Sequence, residues 1–259
     1  MKTTTRQPDL QANYLNHRLD SLFLKMDIGP FAIFGENCNT DKCESLNTMK
    51  ELQPLRYMPN KEQLERLCPG TLQYIDCHIE VLESCTGQRI LQLSSSSNKS
   101  VSEMSKIILN TRHLIREICD EDTTLHKDYI ENIECFRGYV SFGPFLCRDE
   151  AEEIARQFVE NMDSINPDDD RREERNCLTN AFEIGCITTG LGRDCGDRAR
   201  DLMMQILLTF KDSLLEAGGC LDVRGATGLK VKFLESLNLS DEEKSKFQMA
   251  FELVKRRRR

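Results

Sequence analysis

The sequence predicts an all-α protein, a disulfide-stapled helical bundle built from two related helical modules. Three observations lead to this fold class. In several segments apolar residues recur every three or four positions, which is the period of an amphipathic helix. The chain of 259 residues contains twelve cysteines, far more than ordinary usage. Six of these form a triplet that occurs twice: Cys68, Cys77 and Cys85, then Cys177, Cys186 and Cys195.

The two triplets belong to a longer repeated pattern. A cysteine precedes each triplet and another follows it at some distance: Cys43 and Cys119 around the first, Cys147 and Cys220 around the second. The offset between corresponding cysteines ranges from 101 residues, for Cys119 and Cys220, to 110 residues, for Cys85 and Cys195. A period of about 100 residues is longer than that of solenoid repeats. The pattern therefore indicates two similar modules.

The spacing of the cysteines favours disulfide bonds over zinc. Structural zinc sites use close ligand pairs, because four ligands must converge on one ion. Only Cys38 and Cys43 are that close, and the four histidines are dispersed. We therefore assign every cysteine to a disulfide, leave the pairing open, and expect no metal or other cofactor. The twelve are Cys38, Cys43, Cys68, Cys77, Cys85, Cys119, Cys135, Cys147, Cys177, Cys186, Cys195 and Cys220.

Cysteine positions and composition divide the chain into four segments. Residues 1–35 are expected to form a loosely held N-terminal arm. Residues 36–146 and 147–222 form the first and second cysteine-stapled helical modules, and 223–259 form a C-terminal helical tail with a basic end. Apolar residues make up only 39% of the chain, so helices of this composition need the stability that disulfides add.

The first module is expected to contain four helical stretches before its end. The first covers 38–52 and is ended by Pro54, and the second covers 61–67. The third is predicted to begin at Pro69, because the missing N–H of proline is not needed in the first turn of a helix. The apolar pattern over 101–119 predicts a strongly amphipathic fourth helix.

The third helix carries Cys68 and Cys77 if it is continuous. Nine helical residues rise about 13 Å, whereas a disulfide requires Cα atoms within about 7 Å. The two cysteines therefore cannot bond to each other. At about 100° per residue, Cys68 falls on the apolar face and Cys77 falls about 180° away from it. We expect them to reach different neighbouring segments and to tie the helix on two sides.

The rest of the chain is also predicted to be mainly helical. A short helix is expected over 129–135, and 138–147 predicts an irregular, partly buried link, with a brief strand as the alternative. Helices are expected over 149–162 and 202–215, with a charged hinge at 167–175.

Glycines and a capping pattern mark further helix ends. Ser240 and Glu243 have the spacing of a capping box, which predicts the start of the last helix. Several glycines follow the second triplet's first cysteine and are predicted to end or bend a helix, since their spacing is not that of a phosphate-binding loop. They are Gly185, Gly190, Gly192 and Gly196.

Two sequons and a basic run are the remaining motifs. N-glycosylation sequons at Asn98 and Asn238 support passage through the secretory pathway. The sequence closes with Lys255 and four arginines. An anionic heparin-like contact, a nuclear address or a protease site would each use such a run, but a solvated tail is the favoured interpretation.

The sequence predicts no catalytic site. The candidate carboxylates Glu152, Glu153 and 168–170 lie in charge-rich stretches typical of a solvated surface. His78 and His113 are expected to be packing or surface histidines. A net charge of −8 disfavours nucleic acid and anionic membranes as partners. The sequence contains no run of about 18 apolar residues, so no membrane span is predicted.

The cysteine register and the order of helices resemble those of arthropod secreted cysteine-rich proteins. The residues that carry the likeness are Leu67, Cys68, Pro69, Tyr74, Cys77, Cys85, Glu117, Ile118, Cys119, Glu134, Cys135, Phe136, Cys147, Cys177, Cys186, Cys195, Gly196 and Cys220. In these features the chain resembles the insect 27 kDa haemolymph glycoprotein family, and the likeness covers about residues 38–220. It implies a secreted, helical, disulfide-bonded protein and brings no catalytic or ligand residues.

We expect a secreted, non-enzymatic extracellular protein with a binding or structural role. Its partner would be an unidentified extracellular protein or a small apolar ligand. The first residues lack the apolar core of a signal peptide, so we expect the signal exon to be missing from this sequence. Two alternatives stay open: a carrier of a small apolar ligand in a helical cavity, and a reduced intracellular protein that acts through its basic tail.

Overall fold

The computed structural model confirms the all-α fold class for the residues it describes. These are 33–34, 38–55, 57–140, 143–162, 171–211, 214, 220, 223, 226–241, 243–245 and 247–248. Their regular structure is helical throughout, with no strand among them. The arm predicted over 1–35 lies outside this part of the chain apart from 33–34, and so does the basic run at 255–259.

Seven helices account for most of the described chain. They are α1 (Lys61–Thr86), α2 (Lys99–Cys119), α3 (Thr124–Val140), α4 (Gly143–Met162), α5 (Arg172–Cys195), α6 (Asp197–Thr209) and α7 (Ala226–Ser236). Short helical turns lie at Asp41–Leu46, Met49–Leu52, Gln53–Leu55 and Ile90–Leu93. The chain divides into two compact units, unit 1 (Met1–His126) and unit 2 (Lys127–Arg259).

Helix α1 is one continuous helix of 26 residues, so the predicted break before Pro69 is wrong. A capping box starts it: Asn60 Oδ1 accepts the N–H of Gln63 at 2.9 Å, and Gln63 Oε1 accepts the N–H of Asn60. Pro69 lies on the exposed side of the helix, where water can satisfy the carbonyl that proline leaves without a partner. Leu67 and Thr71 are buried on either side of Pro69, and their packing keeps both halves in line.

The helical stretch predicted over 38–52 is interrupted. It consists of a 3-10 turn, Asp41–Leu46, and a single helical turn, Met49–Leu52. Two asparagine side chains compete with a continuous helix. Oδ1 of Asn39 and of Asn47 each accept the backbone N–H two residues further on, at 2.7 Å and 2.9 Å. Such local bonds favour turns over helix, which explains why the prediction is wrong here.

Helices α1 and α2 form the core of unit 1, and the predicted helix over 101–119 is confirmed. Ile75 and Leu82 lie on one face of α1. They pack in a cluster with the residues Ile90, Leu93, Val101, Met104 and Ile108. An adjoining face packs in a second cluster with Met49, Leu52, Leu67, Tyr74 and Val81. Cys68 bonds Cys119 of α2 and Cys77 bonds Cys43, so the prediction that these two cysteines tie α1 to different segments is confirmed.

The region between the two predicted modules is helical rather than irregular. Helix α3 runs from Thr124 to Val140 and α4 begins at Gly143, so the expected link or strand at 138–147 is wrong. The short helix predicted over 129–135 is the middle of α3. The apolar residues of this region fit a helical stripe as well as a strand, and short apolar runs do not distinguish the two.

Helix α5 contains three of the four glycines that were predicted to end or bend a helix. Gly185, Gly190 and Gly192 lie inside this helix of 24 residues, and only Gly196, with φ of 90°, ends it. Part of the charged hinge predicted at 167–175 also belongs to α5, which begins at Arg172. The residues 163–170 lie outside the described part of the chain.

The core of unit 2 is built from aromatic rings packed onto α4 and α5. Phe233 contacts Phe158 edge-on, with ring centroids 5.0 Å apart, and Phe182 lies against Phe247 at 5.1 Å. Phe233 is fully buried and Phe182 nearly so. The described segments after α6 supply two of these four rings, Phe233 and Phe247, to this core.

Two further predictions about the C-terminal part can be compared with the structure. The helix predicted over 202–215 corresponds to α6, whose regular part ends at Thr209. Among 210–215, only 210, 211 and 214 are described. The capping box at Ser240 is confirmed: Ser240 Oγ accepts the N–H of Glu243 at 3.3 Å, and Glu243 Oε2 accepts the N–H of Ser240 at 2.9 Å.

Candidate functional site

Six disulfides take up all twelve cysteines of the chain. The pairs in unit 1 are Cys38–Cys85, Cys43–Cys77 and Cys68–Cys119, and the pairs in unit 2 are Cys135–Cys195, Cys147–Cys186 and Cys177–Cys220. Their Cα–Cα distances range from 4.7 to 5.8 Å, within the limits of disulfide geometry. Since every sulfur is bonded, no cysteine can serve as a thiolate nucleophile or metal ligand.

The pairing follows the same order in both units. Numbering the six cysteines of each unit along the chain, the first bonds the fifth, the second bonds the fourth and the third bonds the sixth. Six cysteines can pair in fifteen ways, so the agreement is specific. It also matches Cys38 with Cys135. The sequence pattern did not reveal this correspondence, because Cys38 is much closer to Cys43 than Cys135 is to Cys147.

Both sequon asparagines are exposed. Asn98 is the N-cap of α2, and its Oδ1 accepts the N–H of Val101 at 3.3 Å. A glycan is attached through the side-chain nitrogen, so this cap remains compatible with glycosylation. Asn238 lies just before the capping box that begins at Ser240. Both sequons thus lie at the surface, at the starts of helical segments.

A groove of about 550 Å³ lies in unit 1 beside the Cys68–Cys119 disulfide. We call it the α1–α2 groove. Its lining residues are Leu72 on α1 and Leu109, Arg112, His113, Arg116, Glu117, Cys119 and Asp120 on or next to α2. Most of the α2 residues are spaced three or four apart, so they form one stripe along the helix. The groove therefore places apolar and charged side chains together on one open surface.

Charged groups dominate the α1–α2 groove. Arg112 Nε donates to Asp76 Oδ1 at 2.5 Å, which joins α2 to α1. Arg116 and His113 are exposed, and neither side chain has a hydrogen-bond or ion-pair partner among the described residues. Sequence reasoning treated His113 only as a packing or surface residue and did not single out the arginines. The available signal was the spacing of Arg112 and Arg116, one helical turn apart.

The residues considered for catalysis are not brought together. Glu152 pairs with Arg148, and Glu153 pairs with Arg156, whose hydrogen bond lowers the pKa of that carboxyl. The aspartates at 168–170 lie outside the described residues. His78 packs edge-on against Tyr74 in the core of unit 1, with ring centroids 4.4 Å apart. These groups form ion pairs and packing contacts.

Lys230 is a buried cation that the sequence did not indicate. It lies on α7 and is only 5% exposed. Burial lowers the pKa of this amine to about 8, and the nearby positive charge of Lys211 contributes to the decrease. Lysine is rarely buried, because taking its charge out of water is costly. Lys230 therefore makes the stability of the fold sensitive to pH in the alkaline range.

We also searched the described residues for membrane-spanning helices and metal-ligand groups, and compared the chain with known proteins. No helix of the described part of the chain is both long and apolar enough to cross a bilayer. The described residues contain no group of three or more His, Cys, Asp or Glu placed to share a metal ion. No family model, curated protein or solved structure matches this chain. The resemblance to haemolymph glycoproteins rests on the cysteine register and the order of helices, and it remains a prediction.

Proposed function

We propose that this chain is a secreted, non-enzymatic extracellular protein of the haemolymph type, with a binding or structural role. The observation that carries the proposal is the incorporation of every cysteine into a disulfide. Disulfides of this density form and persist in oxidising, extracellular compartments, and cytosolic thiol systems reduce them. The exposed sequon asparagines, Asn98 and Asn238, support the same compartment.

We further propose that the two units descend from one three-disulfide module. The support is the shared order of pairing, which gives each cysteine of unit 1 a counterpart in unit 2. Each copy uses one long helix, α1 or α5, as a central element that is bridged three times. A module of this kind supplies stability through cross-links and leaves its surface free to change, which suits a binding or structural protein.

The state of the thiols tests the proposal. Protein isolated without reductant is alkylated with iodoacetamide under denaturing conditions, with and without prior reduction, and its intact mass is measured. We expect no alkylated cysteine without reduction and twelve after it. Twelve alkylated cysteines without reduction would overturn the proposal and favour the rival, a reduced intracellular protein acting through the basic run at 255–259. The same mass spectrum reports whether the chain carries glycans, and peptide mapping assigns them to Asn98 or Asn238.

A carrier role is the second candidate, and one observation favours it. The α1–α2 groove has a volume in the range of small-molecule sites. Its lining is more charged than that of a site for a purely apolar ligand, since it combines two leucines with arginine, histidine and carboxylate side chains. The cargo of such a carrier would therefore be amphipathic. A binding assay with charged and uncharged ligands of the same length distinguishes this role from a structural one.

A further inference from the structure

We propose that the α1–α2 groove binds an organic monoanion, a carboxylate or similar singly charged group joined to an apolar body. The inference deepens the binding role proposed above and rests on it. Leu72 on α1 and Leu109 on α2 supply apolar surface from the two helices that enclose the groove. The alkyl or aromatic body of a ligand would leave water and pack against these leucines, which is energetically favourable.

The cationic stripe of α2 supplies the anion contact. Arg116 and His113 have no side-chain partner among the described residues. Arg112 donates from Nε to Asp76, and its Nη groups make no hydrogen bond to the described residues. Guanidinium groups match a carboxylate with two parallel hydrogen bonds, which are stronger than bonds between neutral groups. The groove therefore holds unused donors of the kind that carboxylates bind.

The spacing of the two arginines also favours an anion. Arg112 and Arg116 are four residues apart on one helical face, where like charges repel each other. Arg112 is two-thirds buried, so its charge is less screened than that of a fully exposed side chain. An anion between the two guanidinium groups would remove their repulsion. A cation at the same place would add to it.

The acidic residues of the groove limit the charge of the ligand. Glu117 and Asp120 line the C-terminal end of the stripe, and Asp76 lies on α1 next to Arg112. Two arginines therefore face three carboxylates, so the groove has no excess of positive charge. A second negative group on the ligand would meet these carboxylates. This arrangement favours a monoanion over a polyanion such as heparin or nucleic acid.

The arginines are not part of the framework that the two units share. When Cys119 is matched with Cys220, Arg112 and Arg116 correspond to Ser213 and Ala217 in the sequence of unit 2. The common pattern of disulfides therefore does not require a cation at either position. A role specific to unit 1 explains why it carries two of them on one face.

Calorimetric titration of the intact, disulfide-bonded protein tests the site with three probes of equal chain length: decanoate, decanol and decylammonium. We expect decanoate to bind once per chain and at least about tenfold more tightly than decanol, with decylammonium no tighter than decanol. Arg116→Gln should weaken decanoate binding about tenfold and leave decanol unchanged, since a hydrogen bond to a charged group contributes about this much. Asp76→Asn should tighten decanoate binding about threefold, because it removes a competing carboxylate.

Lys106→Gln is the matched control, since Lys106 is exposed on the same helix, outside the groove lining, and carries the same charge. It should leave decanoate binding unchanged. Equal affinities for decanoate and decanol, or equal losses in Arg116→Gln and Lys106→Gln, would overturn the site. Tighter binding of a heparin oligosaccharide or an acidic helical peptide through Arg116 would overturn the ligand class. Each of these results leaves the six disulfides and the secreted role standing, whereas free thiols remove that role even if decanoate binds.

Discussion

Gly185 in α5 lies directly against the ring of Phe247. A Cβ atom added at Gly185 would lie 2.5 Å from Cδ1 and 2.9 Å from Cε1 of that ring, closer than real contacts of this kind. The same phenyl ring packs on Phe182, so it cannot withdraw without disturbing the aromatic core of unit 2. The glycine therefore sets how closely the C-terminal segment approaches α5.

The close approach predicts that Gly185→Ala destabilises the protein. Overpacking a well-filled core costs about 1–3 kcal/mol, and the gain in helix propensity, up to about 1 kcal/mol, offsets only part of it. Gly138→Ala is the control, because Gly138 lies in α3 and an added Cβ would meet nothing within 4 Å beyond the backbone of its own helix and its chain neighbours. It should stabilise by about 0.5–1 kcal/mol. Urea denaturation followed by circular dichroism measures both changes.

The second ring residue tests the cause. The double variant Gly185→Ala with Phe247→Leu should lose less stability than the sum of the two single changes. A leucine side chain leaves room for the added methyl group, so the steric clash is removed. If the double variant were less stable than the sum of the two single changes, the steric explanation would be wrong.

Regularly spaced features of the fold could be predicted from the sequence. Periodic apolar residues identified α2, and the nine-residue spacing of Cys68 and Cys77 correctly excluded a bond between them. These inferences depend on helix geometry alone, which is the same in every protein. The opposite faces on which Cys68 and Cys77 reach their partners follow from the same geometry.

Features that depend on distant contacts could not be predicted. Gly185 was interpreted as a helix breaker, because the aromatic ring that requires a glycine there lies 62 residues further along the chain. Pro69 was interpreted as a helix start, although packing on both of its sides continues the helix. The ion pair of Arg112 with Asp76 joins residues that are 36 apart in the sequence. Local pattern carries no information about such pairs, so the groove was missed.

The disulfides should differ in their resistance to reduction. Cys135 is exposed, whereas Cys177 is fully buried and Cys220 nearly so. A reductant reaches an exposed disulfide directly, but it reaches a buried one only after local unfolding. With limiting dithiothreitol, we expect Cys135–Cys195 to open at least about tenfold faster than Cys177–Cys220. Trapping with iodoacetamide and peptide mapping measures the two rates.

Reduction in strong denaturant is the control for this order. The fold no longer protects any disulfide there, so all six should open at similar rates. If Cys177–Cys220 opened as fast as Cys135–Cys195 in the native protein, burial would not be what protects it.

The two roles of Asn98 can be separated by substitution. Ser100→Ala removes the sequon but keeps the Asn98 side chain that caps α2. Asn98→Ala removes both the sequon and the cap. In protein expressed through a secretory pathway, we expect both variants to lose one glycan by mass. Only Asn98→Ala should lose a further contribution of about 0.5–2 kcal/mol in stability, which is the value of an N-cap.

Enzymatic deglycosylation checks the interpretation of these masses. On treatment with the glycosidase, the protein with the original sequence should lose the mass of one glycan more than Ser100→Ala loses. Equal stabilities of Asn98→Ala and Ser100→Ala would show that the bond from Val101 to Asn98 contributes nothing to α2.

Lys230 predicts that stability increases with pH in the alkaline range. Its pKa is about 8 in the folded protein, below the ordinary value of 10.5 that applies when the chain is unfolded. Between these two values the unfolded chain binds more protons than the folded one, so the free energy of unfolding rises with pH. The penalty for burying the charged amine is fully present below about pH 8 and disappears as pH approaches 10.5. The two pKa values differ by about 2.5 and one unit of pKa corresponds to about 1.4 kcal/mol, so the rise should be at most about 3.5 kcal/mol.

Lys230→Met should remove this pH dependence and raise stability at pH 7, because a methionine of similar length fills the same space without a charge. Lys232→Met, at an exposed position on the same helix, is the matched control and should leave the alkaline rise in place. Urea denaturation at a series of pH values from 7 to about 10.5 measures the slope. The disulfides should persist at high pH, because exchange needs a free thiolate and every cysteine is bonded. If the free energy of unfolding of Lys230→Met still rose with pH in the alkaline range, a titrating group other than Lys230 would be its cause.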